Sequence, residues 1–115
     1  MYEQCRGVRA EDRSSGVLQD IHWSMGAIGY FPTYTLGNLY SAQLLEAARE
    51  DLPDHDLQIS RGEFSPLLDW MRSRVHGRGS ILKPAELIEE ACGAPPSPEA
   101  FVEYLKRKVA RLYGI

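Results

Sequence analysis

Residues 31–53 read FPTYTLGNLYSAQLLEAAREDLP, and this run decides the kind of fold. Pro32 falls where the first turn of a helix leaves an N–H unbonded anyway, so its missing donor costs nothing. From there Leu36, Leu39, Tyr40, Leu44 and Ala47 recur at the spacing of a single helix face. Pro53 then prevents the chain from continuing as helix. The spacing predicts a long helix from about Phe31 to Asp51, with its apolar face turned to a core.

Working outward, helix signals recur and strand signals are scarce. A short helix is expected over 54–60, closed by Gly62. Ser65-Pro66 opens another, which carries Leu67, Leu68, Trp70, Met71 and Val75 and stops at Gly77 and Gly79. Lys83-Pro84 starts a third, with Leu87, Ile88 and Ala91 inward and Gly93 at its end. Ser97-Pro98-Glu99 places a capping Ser, a first-turn Pro and an acid at the positive dipole end of the last helix. That helix presents Phe101, Tyr104, Leu105, Val109 and Leu112. No sustained period-two alternation and no Asn-Gly or Asp-Gly hairpin occurs. The expected class is all-α, with about five helices. Residues 1–15 read as an irregular N-terminal lead ending at Ser14-Ser15-Gly16, and 16–115 as a single helical domain. Within it, a short helical or turn segment around Val17–Trp23 and a loop over Ser24–Gly29 precede the long helix.

Composition bounds the function. The chain has 115 residues, 43% of them hydrophobic and 25% charged, which is the balance of an ordinary globular domain with one core. A net charge of −3 offers no attraction to nucleic acid. The densest basic run, Lys106-Arg107-Lys108 with Arg111, shares its helix with Glu99 and Glu103 and reads as a solvated helix end. No stretch approaches the roughly 18 apolar residues of a membrane span, so no membrane partner is expected. The first residues hold no apolar leader, and Cys5 and Cys92 lie far apart, which suits reduced thiols and a cytoplasmic location.

The chemistry concentrates in residues 16–40, GVLQDIHWSMGAIGYFPTYTLGNLY. Asp20 is the sole formal charge in this stretch, beside His22, Gln19, Trp23 and the tyrosines Tyr30, Tyr34 and Tyr40. Solvated helix faces are laced with Lys and Glu, so a polar-aromatic run lacking them suits a buried site that hydrogen-bonds something. Tyr30 and Tyr34, at i and i+4, would present two phenols to one cavity. As isolated residues they fit core or interface aromatics equally, and His22 fits a structural histidine. Asp20 would orient an imidazole or cap a turn. His22, His55 and His76 form no HExxH or HxxxH pair and no CxxC occurs, so no complete metal site is expected in this chain. Neither a P-loop, a GxGxxG nor a nucleophile elbow is present. His76 reads as a helix-end residue beside Gly77, and Cys92 as a small buried hydrophobe.

GVLQDIHW at 16–23 matches the GxxQDxHW motif of the zinc carboxypeptidases of the Taq carboxypeptidase type. The likeness continues through GYFPTYTLGNLYSAQL at 29–44, GEFSPLLDWMRSRVHGRGS at 62–80, KPAELIEEACG at 83–93 and SPEAFVEYLKRKVARLYGI at the end. The chain thus resembles the C-terminal portion of such an enzyme, a much longer helical HExxH peptidase. The HExxH, HPF, DxRxT, HES/GQ and IRxxAD motifs of that family have no counterpart here. The resemblance implies removal of single residues from peptide C-termini, with zinc held by ligands outside this chain and no cofactor bound by the chain alone. Helical oligopeptidases similar to that family bind the substrate carbonyl through a His and a GYxxxY element. Gly29-Tyr30 and Tyr34 match that spacing. By this resemblance His22, Tyr30 and Tyr34 are the catalytic candidates, Gln19 and Asp20 the substrate-binding ones, and Trp23 a packing residue. The resemblance leaves apolar and aromatic surfaces without partners, so a homo-oligomer, a dimer covering Tyr30 and Tyr34, is expected. The alternative is a free-standing helical interaction module without peptidase activity.

Overall fold

A computed structural model describes residues 7, 9, 11–16 and 19–115. Among them are five α-helices and one 3₁₀ turn, in agreement with the expected class: α1 Pro32–Asp51, α2 His55–Ser60, α3 Ser65–Arg74, the 3₁₀ turn His76–Arg78, α4 Pro84–Cys92 and α5 Glu99–Tyr113. The chain divides into two compact units, one reaching to Thr33 and the other running from Tyr34 to Ile115.

Local rules set the helix limits in the second unit. Pro66 and Pro84 sit in the first turns of α3 and α4. The Glu86 carboxylate reaches back to the Lys83 N–H at 3.1 Å, satisfying one of the donors a helix start leaves over. Ser97 Oγ accepts the Glu99 N–H at 3.1 Å at the start of α5. Gly93 ends α4 with φ 73°, a left-handed conformation that a Cβ would penalise. Gly77 answers a different need: a Cβ there would lie 2.9 Å from the Arg72 carbonyl oxygen.

The buried positions are few and mostly small: Ala48, Ala91 and Ala100, with Ile88, Trp70, Gln43 and His55. Polar side chains tie the helices together. Trp70 Nε1 and Arg74 Nη2 both donate to Asp51 Oδ2, at 2.8 and 3.0 Å, fastening α3 to the end of α1. Arg107 of α5 pairs with Glu46 of α1 at 2.8 Å, and Arg78 pairs with Glu90 of α4. Gln43 makes the most complete tie. Its Nε2 donates to the carbonyls of Ala94 and Pro95 at 3.3 and 3.0 Å, and its Oε1 accepts the Ser97 N–H at 3.1 Å.

The core differs from the one the periodicity predicts. Leu39, Tyr40, Leu44 and Ala47 are half-buried and Leu36 is exposed, while the neighbouring Gln43 and Ala48 are the positions that α1 buries. On α5, Leu105, Val109 and Leu112 remain 41, 39 and 66% exposed. Periodicity identifies residues sharing a face, but burial also requires a second element against that face. No described helix is long and apolar enough to cross a membrane.

Gln43→Ala strips partners from two carbonyls and one N–H of the α4–α5 connection. Urea unfolding of the variant is expected to show a loss of about 1–3 kcal/mol, and an unchanged midpoint would contradict the role of this amide.

Candidate functional site

The first unit is built from turns that glycine makes possible. The Ile21 carbonyl accepts the Met25 N–H at 3.0 Å and the Ser24 hydroxyl at 2.8 Å, and the His22 carbonyl accepts the Ala27 N–H at 2.7 Å. Gly26 and Gly29 reverse the chain at φ 78° and 77°. Of the helical or turn segment expected over Val17–Trp23, Gln19 is in a 3₁₀ turn and residues 22–26 are turns, with Val17 and Leu18 outside the described residues. Met25 and Gly26 therefore belong to these turns, and the expected loop is partly ordered by local hydrogen bonds.

These turns set the His22 ring against two aromatics. Its centroid lies 5.7 Å from that of Tyr30 with the planes at 18°, and 4.9 Å from that of Phe31 at 47°. Aromatic rings at such separations attract beyond simple area burial. Asp20 holds the same residue from below in sequence: its Oδ1 accepts the His22 backbone N–H at 3.0 Å and meets Nδ1 at 2.6 Å. An ionised carboxylate supplies only lone pairs, so Nδ1 carries the hydrogen. The His22 backbone N–H, and after it the His22 ring, hold the Asp20 carboxyl below the ordinary aspartate value of 3.8.

The remaining candidates are placed differently. The Gln19 amide donates to the Ser14 carbonyl, a contact within the chain. Tyr34 stands in the first turn of α1, in the other unit, and is 51% exposed. Trp23 is 67% exposed. Phe31 is a neighbour of His22 that sequence reading missed; its only signal was its position next to Tyr30. Cys5 lies outside the described residues. Cys92 is a half-buried free thiol whose pKa burial pushes up.

Two features of the second unit bear on metal and ligand chemistry. His55 is buried, with Nδ1 3.0 Å from Asp56 Oδ1, while Arg49 Nε and Nη2 reach the same oxygen at 3.1 and 2.9 Å. No described group of three His, Cys, Asp or Glu side chains converges as a metal site would need. Both His22 and His55 commit Nδ1 to a carboxylate. A cleft of about 620 Å³ lies among Arg49, Asp56, Tyr104 and the α5 cations Arg107, Lys108 and Arg111, and it includes none of the candidate residues.

With this geometry in hand, residues 1–109 match the family described as carboxypeptidase Taq (M32) metallopeptidase. The chain belongs to that family. It is 48% identical over 113 residues to thermostable carboxypeptidase 1 of Thermus thermophilus, covering 98% of this chain and 22% of that protein. The thermostable carboxypeptidase 1 of Pyrococcus furiosus is 45% identical over 106 residues. The crystal structure of the M32 carboxypeptidase from Deinococcus radiodurans R1 superposes with a TM-score of 0.90 at 41% identity, over 99% of this chain and 23% of that one. The chain thus spans about a fifth of the length of the M32 relatives it matches. The residues of the Asp20–His22–Tyr30 cluster all lie inside the matched region.

The Asp56 carboxyl is held below its ordinary 3.8, first by the His55 ring and then by Arg49. A depressed carboxyl contributes stability that is complete above the unfolded value and is lost as pH falls through the folded one. Urea midpoints taken at pH 7 and at pH 3 are expected to differ less in Asp56→Asn than in the parent chain. An equal difference in both would show that this carboxylate carries no acid sensitivity.

Proposed function

We propose that the chain supplies the C-terminal segment of a zinc-dependent carboxypeptidase that removes single residues from the C-termini of peptides. His22, Tyr30 and Tyr34 are the groups that bind the scissile carbonyl, and Gln19 and Asp20 position them or the substrate. The observation that carries this reading is the His22 ring stacked on Tyr30 with Nδ1 on Asp20, within the region matched to the family. Attack on a peptide carbonyl places negative charge on its oxygen, and donors preset around that oxygen lower the barrier. An imidazole and two phenols supply donors of the right kind. The zinc ligands and the general base belong to the portion of the longer relatives that this chain does not cover. A reducing, cytoplasmic setting is part of the same proposal, supported by the free thiol of Cys92.

The test joins the chain to the upstream portion that its relatives carry. His22→Ala is expected to lower kcat on the order of 10²–10³-fold, as loss of one oxyanion donor does, and Tyr34→Phe to lower it in the same direction. Unaltered kcat in both variants would remove the carbonyl-binding roles. The 115-residue chain alone is expected to take up no stoichiometric zinc and to trim no peptide. Metal analysis and a C-terminal trimming assay giving the opposite result would overturn the segment reading.

Self-association belongs to the same proposal. Ile21, Trp23, Met25 and Ile28 are 60, 67, 74 and 74% exposed around the candidate residues, and a patch of that kind drives association. Sedimentation of the isolated chain is expected to show a dimer at higher concentration. A monomer across a wide range would count against it. The same patch favours the second reading, an interaction module without chemistry, which gains if the joined protein is inactive whatever occupies position 22.

A further inference from the structure

We propose that Asp20 is a positioning residue that locks His22 as its Nδ1–H form, so that the ring meets a substrate carbonyl oxygen through Nε2 and donates to it as the imidazolium. This rests on the assignment of His22 to carbonyl binding. One carboxylate oxygen takes both the His22 backbone N–H at 3.0 Å and Nδ1 at 2.6 Å. The first contact closes a two-residue Asx turn, and the second fixes how far the ring rotates on its own backbone. Tyr30, nearly parallel at 18°, and Phe31, tilted at 47°, restrain the plane of the ring from its faces. Among the described contacts of the ring, Asp20 and the Tyr30 phenol are titratable.

The chemical consequence follows from the two ring nitrogens. In a neutral imidazole one nitrogen donates and the other accepts. With the hydrogen on Nδ1, Nε2 of the neutral ring holds a lone pair, which repels an oxygen gaining negative charge. A second proton turns Nε2 into a donor and makes the ring a cation, with Asp20 in contact to balance the charge. A cationic donor opposite an oxyanion is the stronger arrangement, and it strengthens as the charge develops. A carboxylate bonded to the far nitrogen of a working histidine serves the same purpose in other sites, by setting tautomer and orientation. The Asp20 carboxyl, held below its ordinary value by the contacts with His22, stays ionised for that task.

The competing role for Asp20 is to cap the turn, through the backbone N–H alone. Nitrogen-15 NMR of the His22 ring in the full 115-residue chain separates the two, at a pH where the imidazole is neutral. The parent chain is expected to show the Nδ1–H tautomer, whereas unrestrained imidazole favours Nε2–H. In Asp20→Asn the turn contact survives and the charge is lost, so the ratio of Nδ1–H to Nε2–H falls roughly five- to tenfold, the difference between a charged and a neutral acceptor. In Asp20→Ala it falls to the value of unrestrained imidazole. An Nε2–H ring in the parent chain, which needs no variant to fold, would overturn the inference, and so would an unchanged ratio in Asp20→Ala. Activity of the joined protein keeps the two proposals apart. If His22→Ala abolishes activity while the ring is Nε2–H, the positioning role falls and the carbonyl-binding role stands. If the ring is Nδ1–H but His22→Ala leaves activity intact, carbonyl binding falls, and with it the substrate half of this inference.

Discussion

The second unit depends on one uncharged side chain. Gln43 lies buried in α1, and its amide serves both ends of the connection between α4 and α5: the carbonyls of Ala94 and Pro95 through Nε2, the Ser97 N–H through Oε1. That connection carries Pro95, Pro96 and Pro98, which have no N–H to offer, and its Ala94 and Pro95 carbonyls lie between the two helices. A side-chain amide carries two N–H donors and a carbonyl acceptor on separate atoms, so a single residue completes the set. The start of α5 is placed by this contact, and with it the Arg107–Glu46 pair that ties α5 back to α1.

Small residues complete the arrangement. Ala48, Ala91 and Ala100 are buried while Leu105, Val109 and Leu112 remain open to solvent. Burial of alanine contributes little apolar area, so hydrogen bonds and ion pairs carry a larger share of the cohesion here than in a domain with a leucine core. Surface pairs of the Arg72–Asp69 kind contribute little. The contacts to Asp51 differ, because a buried Trp70 indole and the Arg74 guanidinium converge on one oxygen. The open apolar faces accord with a chain spanning about a fifth of the length of the relatives it matches.

The Asp20–His22 pair is a different kind of constraint, made almost wholly of neighbours in sequence. The carboxylate and the imidazole are two positions apart, the imidazole and its aromatic partners eight and nine, and Gly26 and Gly29 make the reversal between them possible. The cluster is therefore set by local turns, and the Asp20 carboxyl answers to the backbone N–H of His22 more than to any distant charge.

Much of this was legible in the residues. Pro32, Pro53, Pro66, Pro84, Gly93 and Ser97 mark helix limits because each acts through a local rule, the loss of a donor, a left-handed φ or a cap, that holds whatever surrounds it. The family was equally legible, since GxxQDxHW and its continuation are contiguous strings. Two matters had no local signal. Apolar spacing on α1 and α5 named the faces, yet Gln43 and Ala48 were buried in preference to Leu36, because burial is decided by what lies opposite. Asp20 could orient a ring or cap a turn on sequence grounds, and the structure has it do both through one oxygen. The sequence determined the helices, their limits and the family; the tertiary structure decided which face is covered and which nitrogen of His22 is held. Those depend on distances between atoms that spacing along a chain does not encode.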